Sequence, residues 1–109
     1  MKESFKVFGK VQSIMFRQTF IRSCHRRGLV AGATNSSENR DMVTCSVEGE
    51  LSEIESLKSD LISLEVLNSW GAHVTKILKL DEYIDVSAHE VTTDNVDSFK
   101  WTDGVKFFL

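Results

Sequence analysis

Apolar and polar positions alternate along the opening stretch. Phe5, Val7, Gly9 and Val11 are interleaved with Lys6, Phe8 and Lys10, a period of two that predicts a strand with one apolar face. From Phe16 the period lengthens. Phe16, Phe20, Ile21 and Cys24 fall on one side of a helix, while Arg17, Arg22, His25 and Arg26 fall elsewhere. Arg26 and Arg27 followed by Gly28 predict the helix end, with cations in the last turn and then a residue that tolerates positive φ. Leu29 to Thr34 is expected as a short second strand, and Asn35 to Asp41 as a turn. Val43, Cys45 and Val47 alternate with Thr44, Ser46 and Glu48, the pattern of a half-buried strand. Ser52 and Glu55 read as a capping box, ahead of Ile54, Leu57, Leu61 and Leu64 at helical spacing. Ala72, Val74, Leu78 and Leu80 predict a fourth strand. Tyr83 to Val91 reads as strand or loop. Phe99 to Thr102 and Val105 to Leu109 flank Asp103-Gly104, a two-residue hairpin signal.

The order β-α-β-β-α-β is that of the ferredoxin-like split βαβ fold, an α+β sandwich with an antiparallel sheet and both helices on one face. A length of 109 residues suits one domain over 1–109. Its core is expected over 4–80, with 81–109 as a closing strand, an added hairpin or a dimer contact. Composition adds exclusions. Thirteen Lys and Arg against sixteen Asp and Glu give a net charge of −3, which argues against an electrostatic grip on nucleic acid. The third strand, V-T-C-S-V, lacks the aromatic residues that RNA-recognition domains stack on bases. No apolar run is long enough to cross a bilayer, so no membrane contact is expected. The first ten residues carry Lys2, Glu3, Lys6 and Lys10 and no apolar signal core, so the expected compartment is the cytoplasm. Cys24 and Cys45 have no partner at zinc-ligand spacing and are expected as reduced core thiols. His25 is expected in solvent, and His73 and His89 stand isolated in strand-like segments, so no metal is expected. Trp70 and Trp101 are expected to pack in the core or tail.

The segment with chemical content is Gly9-Lys10-Val11-Gln12-Ser13-Ile14-Met15-Phe16-Arg17, which joins a strand to a helix. Amides in such a turn, with the unpaired amides of the helix's first turn, favour an anion. Arg17 adds a permanent charge and a planar fork of donors that suits two oxygens of one phosphate. The plain alternative is a strand-to-helix connection with a solvated arginine.

These residues resemble the acylphosphatase family, whose signature G-x-V-Q-G-V-x-F-R is met here by G-K-V-Q-S-I-M-F-R. The family's G-L-x-G-W-V-x-N is met by Gly28-Leu29-Val30-Ala31-Gly32-Ala33-Thr34-Asn35, with the asparagine in register. The resemblance runs from Phe5 to Leu80, with an echo at Phe99. It implies hydrolysis of acyl phosphates to carboxylate and inorganic phosphate, without metal or other cofactor. The main-chain amides of Gln12, Ser13, Ile14, Met15 and Phe16 would cradle the phosphate. Arg17 would bind its oxygens, and Asn35 would orient the attacking water. The partners implied are a small acyl phosphate and inorganic phosphate or another anion. Three features depart from the family. Ser13 replaces a glycine, Ala31 and Gly32 replace a glycine and an aromatic, and the turn after Asn35 is about two residues longer. If Ser13 must adopt positive φ, the cost is on the order of 1 kcal/mol. An anion-binding or protein-interaction domain without turnover is the alternative reading.

Overall fold

In a computed structural model describing residues 1–99 and 104–109, strand β1 (Lys2–Lys10) lies at the heart of the sheet. Helix α1 (Phe16–Arg26), β2 (Val30–Asn35), β3 (Met42–Glu48), helix α2 (Leu51–Ser63), β4 (His73–Lys79) and β5 (Val91–Thr92) follow. The strands lie in the order β4-β1-β3-β2-β5, with every pairing antiparallel. This is the expected ferredoxin-like arrangement with a short fifth strand added at the β2 edge.

Both helices cover one face. Phe5, Val7, Val43, Cys45, Val47, Ala31 and Ala33 point into it and meet Phe20, Ile21 and Cys24 of α1 and Ile54, Leu57 and Leu61 of α2. Phe20 stacks on Phe16 at 5.8 Å and meets Phe5 edge-on at 6.2 Å. Both cysteines are buried free thiols, as expected. Burial pushes both thiol pKa values well above their usual 9.0. Helix α1 ends as anticipated, with Gly28 at φ 75 just past it, where a side chain would be strained.

Several expectations give way. The capping box does not form. Helix α2 starts one residue before Ser52, Glu50 is its N-cap, and no side chain caps it. The main-chain oxygen of Glu50 instead receives the amides of Glu53 and Ile54. Leu64 stands just past the helix end. In β4 the register skips beside Phe8 and Gly9, leaving Thr75 unpaired. That bulge puts both Val74 and Ile77 on the core side and turns Leu78 outward to 45% exposure. Leu78 therefore fails the alternation that Ala72 and Val74 begin. Trp70 is 43% exposed rather than packed in the core, and Trp101 lies outside the described residues.

The chain between β4 and β5 is a loop with one 3₁₀ turn rather than a strand. It leaves one edge of the sheet and crosses the face opposite the helices to reach the other edge. Tyr83 lies under the Lys2 ammonium, Ile84 binds Ser4 and Ser46, and His89 binds Ser46 and Thr34. A single 3₁₀ turn at Val86–Ala88 bends it toward β2, where Val91 and Thr92 pair with Ala33 and Gly32. Lys100 to Asp103, half of the anticipated hairpin, lie outside the described residues. Val105 to Leu109 form no strand and make one isolated bridge, between Phe107 and Asn68. Among the described residues no helix is long and apolar enough to cross a membrane.

Candidate active site

The loop between β1 and α1 carries two of the molecule's unusual backbone conformations. Ser13 has φ 66, and Met15, the N-cap of α1, has φ 62 and ψ 24. Among the described residues they are the only non-glycine residues at positive φ. L-residues enter this region at a cost of roughly 1–2 kcal/mol each, so the loop is strained where it meets the helix. Left-handed residues alternating with ordinary ones turn successive amides to one concave side. The amides of Ser13, Ile14, Met15 and Phe16 donate to no group among the described residues.

Polar anchors hold the strained loop from behind. Asn68 is fully buried and its amide donates to the Ile14 carbonyl and the Thr19 hydroxyl, both at 2.9 Å. Thr19 in turn donates to the Met15 carbonyl at 2.7 Å. Gln12 does not turn its side chain toward the loop's concave side. Its Nε2 faces the carbonyls of Ser36, Asn39 and Met42 at 3.0, 3.1 and 2.8 Å. The long turn after Asn35 is thereby fastened to the loop, which fixes the end of β2 relative to α1.

A cavity of about 250 Å³ opens here, lined by Val11, Ser13, Met15, Phe16, Arg17, Gln18, Asn35, Val91 and Phe99. Arg17 is the one charged residue in that lining. Of the residues singled out in the sequence, Ser13, Met15, Phe16, Arg17 and Asn35 come together around the cavity. The side chains of Gln12 and Ile14 do not line it, and Ile14 packs against the core. Asn35 ends β2, and its side-chain oxygen is buried without a hydrogen-bond partner among the described residues. Leaving such an oxygen unpaired costs on the order of 1–3 kcal/mol; the Tyr83 hydroxyl is buried and unpaired too, away from the cavity.

Sequence reasoning missed Glu90. Its carboxylate accepts from the Asn35 amide at 3.0 Å and from Arg17 Nη1 at 3.3 Å. It missed His89 too, which is 8% exposed beneath the crossing segment. Counting protons assigns its tautomer. Ser46 donates its one hydrogen to the Ile84 carbonyl, so His89 Nε2 donates to Ser46. Nδ1 then accepts from Thr34, whose oxygen receives the Glu90 amide at 3.0 Å. Burial holds the His89 pKa below its usual 6.5 and keeps the ring neutral. A β-carbon at Gly32 would stand 2.8 Å from this ring, so the glycine leaves room for His89. His25, by contrast, is exposed as anticipated, and His73 sits in β4. Among the described residues no group of three or more His, Cys, Asp or Glu is placed to hold a metal ion.

Comparison with known proteins agrees with the fold. Acylphosphatase from Bacillus subtilis superposes with a TM-score of 0.58 at 20% identity, over 75% of this chain and 90% of that one. Acylphosphatase from Coxiella burnetii gives 0.57 at 24% identity, over 82% and 85%. HypF from T. kodakarensis gives 0.59 at 28% identity, over 78% of this chain but 10% of that much longer one. No match was found among curated proteins. Residues 3–100 match the acylphosphatase family over nearly the whole chain, and the protein belongs to that family.

Proposed function

We propose that the protein hydrolyses acyl phosphates, with the loop of residues 12–16 as the phosphate cradle, Arg17 as its cation and Asn35 as the residue that aims water. The observation that carries the reading is that Ser13 and Met15 at positive φ, with Phe16, Arg17 and Asn35, line one cavity beside a loop whose amides have no acceptor among the described residues. The cradle's main-chain donors and the guanidinium fork neutralise the phosphoryl oxygens as charge shifts in the transition state. Rotation of the Asn35 carboxamide about its last torsion, which has a broad profile, turns its oxygen toward the cavity to accept a hydrogen bond from water. The water oxygen forms a bond to phosphorus as the bond from phosphorus to the acyl oxygen breaks. The carboxylate leaves with the electron pair, and the water's proton passes to a phosphoryl oxygen, giving inorganic phosphate. The leaving group is a good one, so positioning and charge stabilisation suffice without a side-chain base.

The test is phosphate release from acetyl phosphate in the presence of a chelator. Arg17→Ala and Asn35→Ala are each expected to lower kcat by about 10²–10³-fold, the usual effect of losing one preorganised donor. Release from either variant at the wild-type rate would remove that residue's role. Phosphate binding without release would favour the anion-binding alternative.

A further inference from the structure

We infer that Glu90 is a positioning residue for Arg17, an inference that rests on the proposed reading of the site. Its carboxylate lies between two elements that the site must keep in register. One oxygen, Oε1, accepts both from the main-chain amide of Asn35 at the end of β2 and from Nη1 of Arg17 in the first turn of α1. Arg17 makes no other side-chain hydrogen bond or ion pair among the described residues, so Nη2 and Nε remain available to an anion. The carboxylate thus takes one corner of the guanidinium and leaves the rest of the fork for the ligand.

Glu90 is itself held. Its amide donates to Thr34 at 3.0 Å, and its carbonyl receives the Asn95 amide group at 3.2 Å. His89 next to it is locked between Thr34 and Ser46. The segment that crosses the sheet therefore delivers a carboxylate from a fixed backbone. As an ion pair with half-exposed partners at 3.3 Å, this contact adds little to stability. Its consequence is geometric. A free arginine side chain samples many rotamers, and a clamped one presents its fork without that ordering cost when phosphate arrives.

The experiment compares Glu90→Ala and Glu90→Gln in acetyl phosphate turnover, in thermal unfolding, and in the NMR signals of the Arg17 guanidinium. Gln retains an oxygen acceptor and loses the charge. A clamp predicts that Glu90→Ala lowers kcat/KM by about tenfold and Glu90→Gln restores it to within about threefold, with Tm unchanged in both. It also predicts that Arg17 Nη signals resolved in the wild type average together in Glu90→Ala. Tighter phosphate binding and faster turnover in both variants would overturn the clamp and make Glu90 a competitor of the substrate. Unchanged guanidinium signals in Glu90→Ala would overturn it as well. Wild-type protein that releases no phosphate would end the hydrolase reading, and the guanidinium signals alone would then decide the role of Glu90.

Discussion

The two faces of the sheet are built on different physics. Toward the helices, β1, β2 and β3 present Phe5, Val7, Ala31, Ala33, Val43, Cys45 and Val47, a closed apolar layer held by burial. On the other face the same strands present Ser4, Ser46, Thr34 and Gly32, and the covering segment is held by a chain of hydrogen bonds through Ile84 and His89. An apolar layer is held by a non-directional attraction. A hydrogen-bonded network fixes distance and angle. The polar face is the one that sets the position of Glu90, and through it the contact with Arg17. The apolar face makes the fold, and the polar face adjusts the site.

Breaking the apolar face should have the largest effect on stability. Phe20 is fully buried between Phe5 and Phe16, so Phe20→Ala is expected to cost about 3–5 kcal/mol in denaturant unfolding. A loss below about 1 kcal/mol would mean that the layer repacks freely. Breaking the polar face should cost less and act locally. His89→Ala leaves the Ser46 and Thr34 hydroxyls short of a partner and is expected to cost about 1–3 kcal/mol. Hydrogen exchange should rise in residues 83–92 before it rises in α1 or α2.

Acid sharpens the contrast. The folded state disfavours the His89 imidazolium, while the unfolded chain takes up the proton near pH 6.5. The unfolded state then binds more protons. The stabilisation is complete above pH 6.5 and is lost as pH falls through it toward the lower folded pKa. Both ring partners are hydroxyls, and among the described residues no carboxylate bonds to the ring. His89→Gln keeps a donor and an acceptor but cannot titrate. Denaturant midpoints at about pH 7.5 and about pH 5.5 should therefore fall further for the wild type than for His89→Gln. The smallest expected effect is at the loop. Ser13→Gly removes a side chain at φ 66 and should stabilise by about 0.5–1 kcal/mol, less whatever entropy glycine adds to the unfolded chain. A destabilised Ser13→Gly would show that the loop does not hold Ser13 under strain.

The sequence was legible where spacing encodes burial. The alternation Val43, Cys45, Val47 and the helical spacing from Phe16 to Cys24 map directly onto the apolar face. The candidate loop was legible because strand, turn and helix meet over a few consecutive residues, and Arg17 and Asn35 each sit at an element boundary. What the pattern did not carry lies on the polar face. Ser4, Thr34, Ser46 and His89 come from four distant segments, and each alone resembles a solvated residue. The bulge at Thr75 hides likewise, because one skipped residue reverses the faces of Leu78 and its neighbours. The crossing of 81–92 over the sheet follows from long-range pairing of β5 with β2, for which the only local signal is two residues, Val91 and Thr92.

Joint action of the loop's amides and Arg17 on one phosphoryl group is the core of the proposed site. The most direct measurement is a titration of ¹⁵N-labelled protein with inorganic phosphate, following the amide signals of Ser13, Ile14, Met15 and Phe16. Saturable shifts in those four signals, lost in Arg17→Ala while the signals of α2 stay still, are predicted. Shifts spread over the surface, or a loop response that persists undiminished in Arg17→Ala, would contradict it.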